Sequence, residues 1–236
     1  MRRQVRIFCV IGNSYEVGNH QQNTQLGEKM QEILQLQLQQ VHYREIQKTY
    51  HFEEKDGRNL SKLGRTILQE IMPKLYYGAF PFEEKEGREQ IAVIVTLGER
   101  FDEIQEEYSR KKQLSESYQI ECIGMELLKL AYEKAAEQIY EATGKWLGTF
   151  QFLGDKYPLE MIPAVCEALA PGEISCNDAY MMQPKKTVVF LSVLGTERKE
   201  SSCHLCDNCS NVTCQNRQTT NLTYGYQRIF GKNRRR

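Results

Sequence analysis

Two short, almost uninterrupted apolar runs constrain this chain more than anything else in it. Ile91-Ala92-Val93-Ile94-Val95-Thr96-Leu97-Gly98 and Thr187-Val188-Val189-Phe190-Leu191-Ser192-Val193-Leu194-Gly195 are rich in β-branched residues, and glycine closes each of them, as expected of strands. The first shows no alternation of polar and apolar positions, so it reads as a central strand covered on both faces. A chain of 236 residues that is 40% apolar has core material for one large domain, with or without a small appendage.

Helical periods surround these runs. Leu26, Met30, Ile33, Leu34 and Leu38 recur every three to four residues in a Gln-rich stretch, which predicts a helix over 21–40. Residues 41–52 mix aromatic and β-branched side chains with polar ones and suggest a strand, whereas 3–11 fits a strand or a short helix equally. Leu60, Leu63, Ile67, Leu68, Ile71 and Leu75 predict a helix over 60–77, and Gly78 to Gly87 reads as a connection. A charged helix follows Gly98 to about Lys112, and a long one spans roughly 117–142, with Gly144 as its stop signal. Residues 144–158 read as a glycine-containing aromatic loop, 157–169 as a helix and 174–181 as a strand. This order lacks regular strand–helix alternation, so it points to an α+β fold with a mixed or antiparallel sheet.

Thirty-one basic and 31 acidic residues cancel, so no global field draws the chain to nucleic acid or to an anionic membrane. The tail nevertheless carries Arg228, Lys232, Arg234, Arg235 and Arg236 without an acid; it reads as a solvated terminus or as an arm for an acidic partner. The first apolar run is too short for a secretory core, and no stretch approaches the ~18 apolar residues of a membrane span, so a cytoplasmic location is expected. Cys9, Cys122, Cys166 and Cys176 are dispersed, as small buried hydrophobes are in a reducing compartment.

The other four cysteines crowd together as Cys203-x2-Cys206-x2-Cys209-x4-Cys214. Four thiolates at this spacing suit tetrahedral zinc or an iron–sulfur cluster; a redox disulfide and unligated thiols are the other readings. His204 stands next to Cys203 and would compete with it. No glycine-rich phosphate loop, nucleophile elbow or His-Glu-x-x-His pair is present. Asp102, Glu103, Glu106 and Glu107 have the spacing of a solvated helix face, and Trp146 reads as a core or loop anchor. His20, His42 and His51 share no spacing that suggests a site, and no catalytic residue is assigned.

Several segments, in order, resemble one family. They are Val95-Thr96-Leu97-Gly98 followed by Asp102; Cys122-Ile123-Gly124; Tyr157-Pro158-Leu159-Glu160; Tyr180-Met181-Met182-Gln183-Pro184-Lys185-Lys186-Thr187-Val188; and the cysteine segment with Gln215-Asn216-Arg217. The family is the activation domain of cobalamin-dependent methionine synthase, and the likeness is to its short, stand-alone members. The resemblance implies an α+β fold with a twisted, mainly antiparallel sheet and flanking helices over residues 1–200. A cysteine-rich metal or cluster segment (201–218) and a basic tail (219–236) follow.

The implied role is an accessory one: returning an oxidised cob(II)alamin to the methyl-accepting cycle of a separate cobalamin-binding methyltransferase or methionine synthase. Such an activator is at most a component of methionine synthase activity and no enzyme by itself. S-adenosylmethionine is the family's methyl donor, and Gly154, Tyr157 and Pro158 fall in the segment that would bind it. Residues 149–158 lack the arginine that the family carries there. The alternative reading is a zinc-stapled interaction module without a redox role; nucleic acid and membrane are not expected partners.

If Cys203, Cys206, Cys209 and Cys214 form one site, protein purified without oxygen will carry either iron with sulfide or one zinc per chain. Cys209→Ser will lose most of that metal. Metal content unchanged by the substitution would separate the metal from these thiolates.

Overall fold

The computed structural model describes residues 29–82, 89–154 and 156–197. The readings over 3–11, the cysteine segment, the basic tail, Cys9, His20 and His204 lie outside the described residues.

The fold is α+β. Strands β1 (Met30–Ile33), β2 (Lys74–Ala79), β3 (Gln90–Thr96) and β8 (Thr187–Gly195) lie side by side in that order. The short strands β4 (Trp146–Leu147) and β5 (Gln151–Phe152) share the free edge of β8, and every pairing between strands is antiparallel. The two apolar runs are therefore adjacent central strands, in register from Gln90↔Val193 to Thr96↔Thr187.

Their side chains alternate between two cores, as the pleat requires. Leu75, Tyr77, Ile91, Val93, Val95 and Phe190 face one apolar cluster. Helices α1 (Gln40–Thr49), α2 (Gly57–Glu70), α3 (Glu99–Arg110) and α4 (Leu114–Thr143) supply most of the rest of that cluster. Tyr76, Ala92, Ile94, Val189 and Leu191 face the other cluster, closed by α5 (Met161–Leu169). Coverage on both faces explains why the first run shows no polar alternation.

Three expectations need correction. Residues 30–33 form β1 rather than part of a helix, and past it Leu34 is buried and Leu36 and Leu38 are partly buried while the intervening glutamines are exposed. Residues 40–49 form α1 rather than a strand: His42, Tyr43 and Ile46 are buried at helical spacing, so tertiary packing overrides their modest helix propensity. The predicted helix over 60–77 stops at Glu70, three residues before Pro73, and the chain resumes as β2; proline has no amide to donate and disfavours helix in the residue before it.

The long helix ends as expected, with Gly144 in the left-handed region at φ +70°. The loop over 144–158 turns out to carry β4 and β5. Leu147 faces Leu194 and Gln151 faces Leu191, so four steps on one side match three on the other, and the extra residue is a β-bulge. Phe150, in the bulge, is buried and stacks on Phe190 at 4.3 Å. The expected strand over 174–181 reduces to a hairpin of β6 (Ser175–Cys176) and β7 (Met182–Gln183). Its turn is held by Asn177 Oδ1, which accepts from the amides of Ala179 and Met181.

Close approach of α4 to α3 depends on Gly124. A Cβ there would lie 2.3 Å from Phe101 Cζ and 3.0 Å from Lys186 Cε. Gly124→Ala is therefore expected to lower stability by about 2 kcal/mol or more through overpacking, read as a lower urea midpoint; an unchanged midpoint would contradict this packing.

Candidate functional site

Three of the segments singled out in the sequence, around Thr96–Asp102, Gly124 and Pro184–Thr187, meet at one junction. The Leu97 amide donates to the Lys186 carbonyl at 2.9 Å, and the Thr187 hydroxyl donates to Thr96 Oγ1 at 2.8 Å, although 91 residues separate the two threonines. On α3, Asp102 Oδ2 accepts the Lys185 amide at 2.7 Å. On α4, Glu121 accepts from Lys186 Nζ at 2.6 Å, one turn before Gly124. Thr96-Leu97-Gly98, Asp102, Gly124 and Pro184 to Thr187 are thus parts of one interlocked joint between β3, α3, α4 and the entry to β8.

Asp102 is the residue that sequence reasoning placed wrongly. It is only 6% exposed rather than solvated, and among the described residues its Oδ1 has no hydrogen-bond partner. Burial pushes its carboxyl above the ordinary value, against the pull of the Lys185 amide. The signal was available in outline, because position 102 follows Phe101 and precedes Ile104, both of which pack inward. The other acids do lie toward solvent: Glu103 and Glu107 pair with Arg100, and Glu106 with Lys185. At Glu121, burial raises the carboxyl but the Lys186 and Gln105 hydrogen bonds outweigh it and hold it below the ordinary value.

Beside the joint, a hollow of about 560 Å³ opens among Tyr76, Thr96, Gly98, Glu173 and Pro184. Most of its charged walls are already paired. Glu173 accepts from Tyr76 Oη at 2.7 Å and from Lys74, and these bonds overcome the effect of burial and depress its carboxyl. Arg100 is shared by Glu70, Glu103 and Glu107. The hollow's lining carries Glu70, Glu99 and Glu173 against Lys74 and Arg100, so it is net acidic.

The expected cofactor segment lies elsewhere on the same sheet face. Leu153 and Tyr157 form a bridge, and the Gly154 amide donates to the Tyr157 carbonyl at 2.7 Å, closing a turn with Gly154 at φ +97°. A side chain at Gly154 would press on Leu159 at 2.9 Å. The Tyr157 ring meets Phe82 edge-on at 5.2 Å, with Lys156 Nζ 5.0 Å from its centre, while Pro158 is exposed and leads toward α5. Phe82 lies beyond the far end of β2 from Lys74, so this turn and the hollow are separated by several residues of strand, roughly 15 Å at ~3.3 Å per residue. The turn spends its glycine amide internally and contains no arginine to clamp a carboxylate. Its residues do not match a site built on such an anchor.

Cys203, Cys206, Cys209 and Cys214 lie outside the described residues. Among the described residues no group of three or more His, Cys, Asp and Glu is arranged to hold a metal, and no helix is long and apolar enough to cross a membrane. Cys122 and Cys166 are buried as expected, with burial pushing each thiol up to about 11; Cys176 is half-buried. Trp146 is an anchor on the β8 edge, stacked on Tyr140 at 3.8 Å. His42 is structural, its Nδ1 accepting the Gln39 amide at 2.8 Å.

Removing the Asp102 carboxylate leaves the Lys185 amide without its acceptor, so Asp102→Ala is expected to cost about 1–3 kcal/mol. Asp102→Asn keeps an accepting oxygen and is expected to cost less. Because burial raises the carboxyl, the ionised form is the disfavoured one in the folded state. Wild-type stability should therefore fall as pH rises from the ordinary carboxylate value through the raised one, and Asp102→Asn should remove that component. Equal urea midpoints for the two variants would show that the bond contributes nothing.

No protein-family model matches this chain, and no curated protein matches it in sequence. Among solved structures it is similar to the MetH reactivation domain, crystallised with AdoHcy bound, at 12% sequence identity over 86% of each chain and a TM-score of 0.47.

Proposed function

We propose that this chain is an accessory protein for the reductive reactivation of a separate cobalamin-dependent methyltransferase or methionine synthase. One observation carries the reading. Three of the segments that resemble the activation domain, at Val95–Asp102, Cys122–Gly124 and Tyr180–Val188, converge on a single joint through Thr96–Thr187, Asp102–Lys185 and Gly124 against Lys186. A fold that needs these three segments at once accounts for their occurring together.

In this proposal, residues 1–200 form the activation-like unit, and the thiolates of Cys203, Cys206, Cys209 and Cys214 would hold an iron–sulfur cluster or zinc. A cluster, when bound, supplies an electron at the low potential that cob(II)alamin requires; zinc supplies only a structural clip. The methyl donor of the cycle is S-adenosylmethionine. The closed turn at Gly154, Tyr157 and Pro158 lacks an arginine anchor, so the proposal gives this chain a role in engaging its partner and assigns no methyl-transfer step to that turn.

The test is a reactivation assay on a cobalamin-dependent methionine synthase trapped as cob(II)alamin. With a chemical reductant and S-adenosylmethionine present, adding this protein should raise the rate of return to turnover severalfold, saturating with its concentration. A rate unchanged by the protein across that range would overturn the reading.

A further inference from the structure

The charge balance of the whole chain conceals a local asymmetry. Most ion pairs among the described residues tie up cations elsewhere: Lys74, Arg100, Lys129, Lys134, Lys145, Lys185 and Lys186 each have a carboxylate partner. Of the cations without a carboxylate partner among the described residues, five line one groove. Arg44 and Lys48 stand one turn apart on α1; Arg58, Lys62 and Arg65 follow one another along α2. All five are exposed, and Glu54 is the one carboxylate among the described residues that line the groove. The groove encloses about 1010 Å³. Its cationic edge on α2 runs from Arg58 to Arg65, roughly 10 Å, and on α1 from Arg44 to Lys48, roughly 6 Å, at ~1.5 Å per residue.

An apolar patch adjoins the groove. Phe52, one of its lining residues, packs on Tyr118 of α4 with ring centres 5.6 Å apart. Tyr118 is 52% exposed, and Leu114, one turn earlier on the same helix face, is 70% exposed. The Asn59–Gln119 hydrogen bond of 2.7 Å holds α2 against this part of α4, so cationic helix and apolar patch form one surface.

We infer that this surface docks an acidic amphipathic segment of another protein, carboxylates in the α1–α2 groove and apolar side chains on Leu114 and Tyr118. Unpaired cations at helical spacing attract and orient carboxylates repeating at the same interval, and an exposed aromatic beside them provides the anchor that interfaces concentrate their energy on. A nucleic acid would use the cations but has no use for exposed Leu114 and would be repelled by Glu54 in the groove. The inference is independent of the reactivation reading.

The test uses the full chain and fluorescence anisotropy with a labelled synthetic helical peptide, glutamates at four-residue intervals on one face and leucines on the adjoining face. Saturable binding that weakens with salt is expected. Arg44→Glu/Lys62→Glu should weaken it at least tenfold, and the milder Arg44→Gln/Lys62→Gln should weaken it severalfold. Tyr118→Ala should weaken it severalfold while leaving the salt dependence unchanged. Circular dichroism checks that the exposed substitutions leave the fold intact. No saturable binding, binding unaffected by charge reversal, or tenfold tighter binding of a single-stranded oligonucleotide of equal charge would each overturn the inference.

Discussion

The hydrogen bond from the Lys185 amide to the buried Asp102 carboxylate sits where the chain turns into its last central strand. Lys185 lies two residues before β8, and β8 pairs with β3 on one side and with β4 and β5 on the other. Whatever positions its entry therefore sets the register of the middle of the sheet, and through it which side chains face each core. Around that bond the chain adds the Leu97–Lys186 backbone bond, the threonine pair and the Lys186–Glu121 ion pair. Gly124 lets α4 come close enough for the last of these. A buried carboxylate is costly to leave half-satisfied, so the joint accepts a local penalty at Asp102 Oδ1 in exchange for a defined strand entry.

What was legible in the sequence follows from which signals were unambiguous. The runs at 91–98 and 187–195, the long helix and its Gly144 stop rest on strong composition and capping chemistry, and the structure bears them out. Misreadings came where two periods coincide. Leu34, Leu36 and Leu38 repeat every second residue, but exposed Ile33 added a helical spacing that competed with the alternation. In 40–49, β-branched and aromatic residues suggested a strand, yet His42, Tyr43 and Ile46 needed only one helical face to reach the core. Pro73 was a stop signal in plain view that a continuing leucine pattern hid. At the joint, the participating segments were visible as motifs and the inward position of Asp102 was signalled only in outline; its partner was not, because Lys185 arrives from 83 residues away.

Function divides across the molecule along the same lines. In the motif-bearing joint and the hollow beside it most charged groups are paired, which suits a scaffold that holds its shape. Five cations without carboxylate partners gather on the α1–α2 surface, well apart in sequence from the joint. A chain with zero net charge can in this way keep a self-satisfied interior and still steer a partner electrostatically from one face.

Amide hydrogen exchange at Lys185 tests the central role of the joint most directly. That amide lies outside the strand ladder, so its protection rests on Asp102 alone. The account predicts that it exchanges as slowly as the amides of β3, opening only with global unfolding. Exchange at the rate of the exposed turn residues, with β3 still protected, would show that β8 is positioned without this bond and would contradict the account.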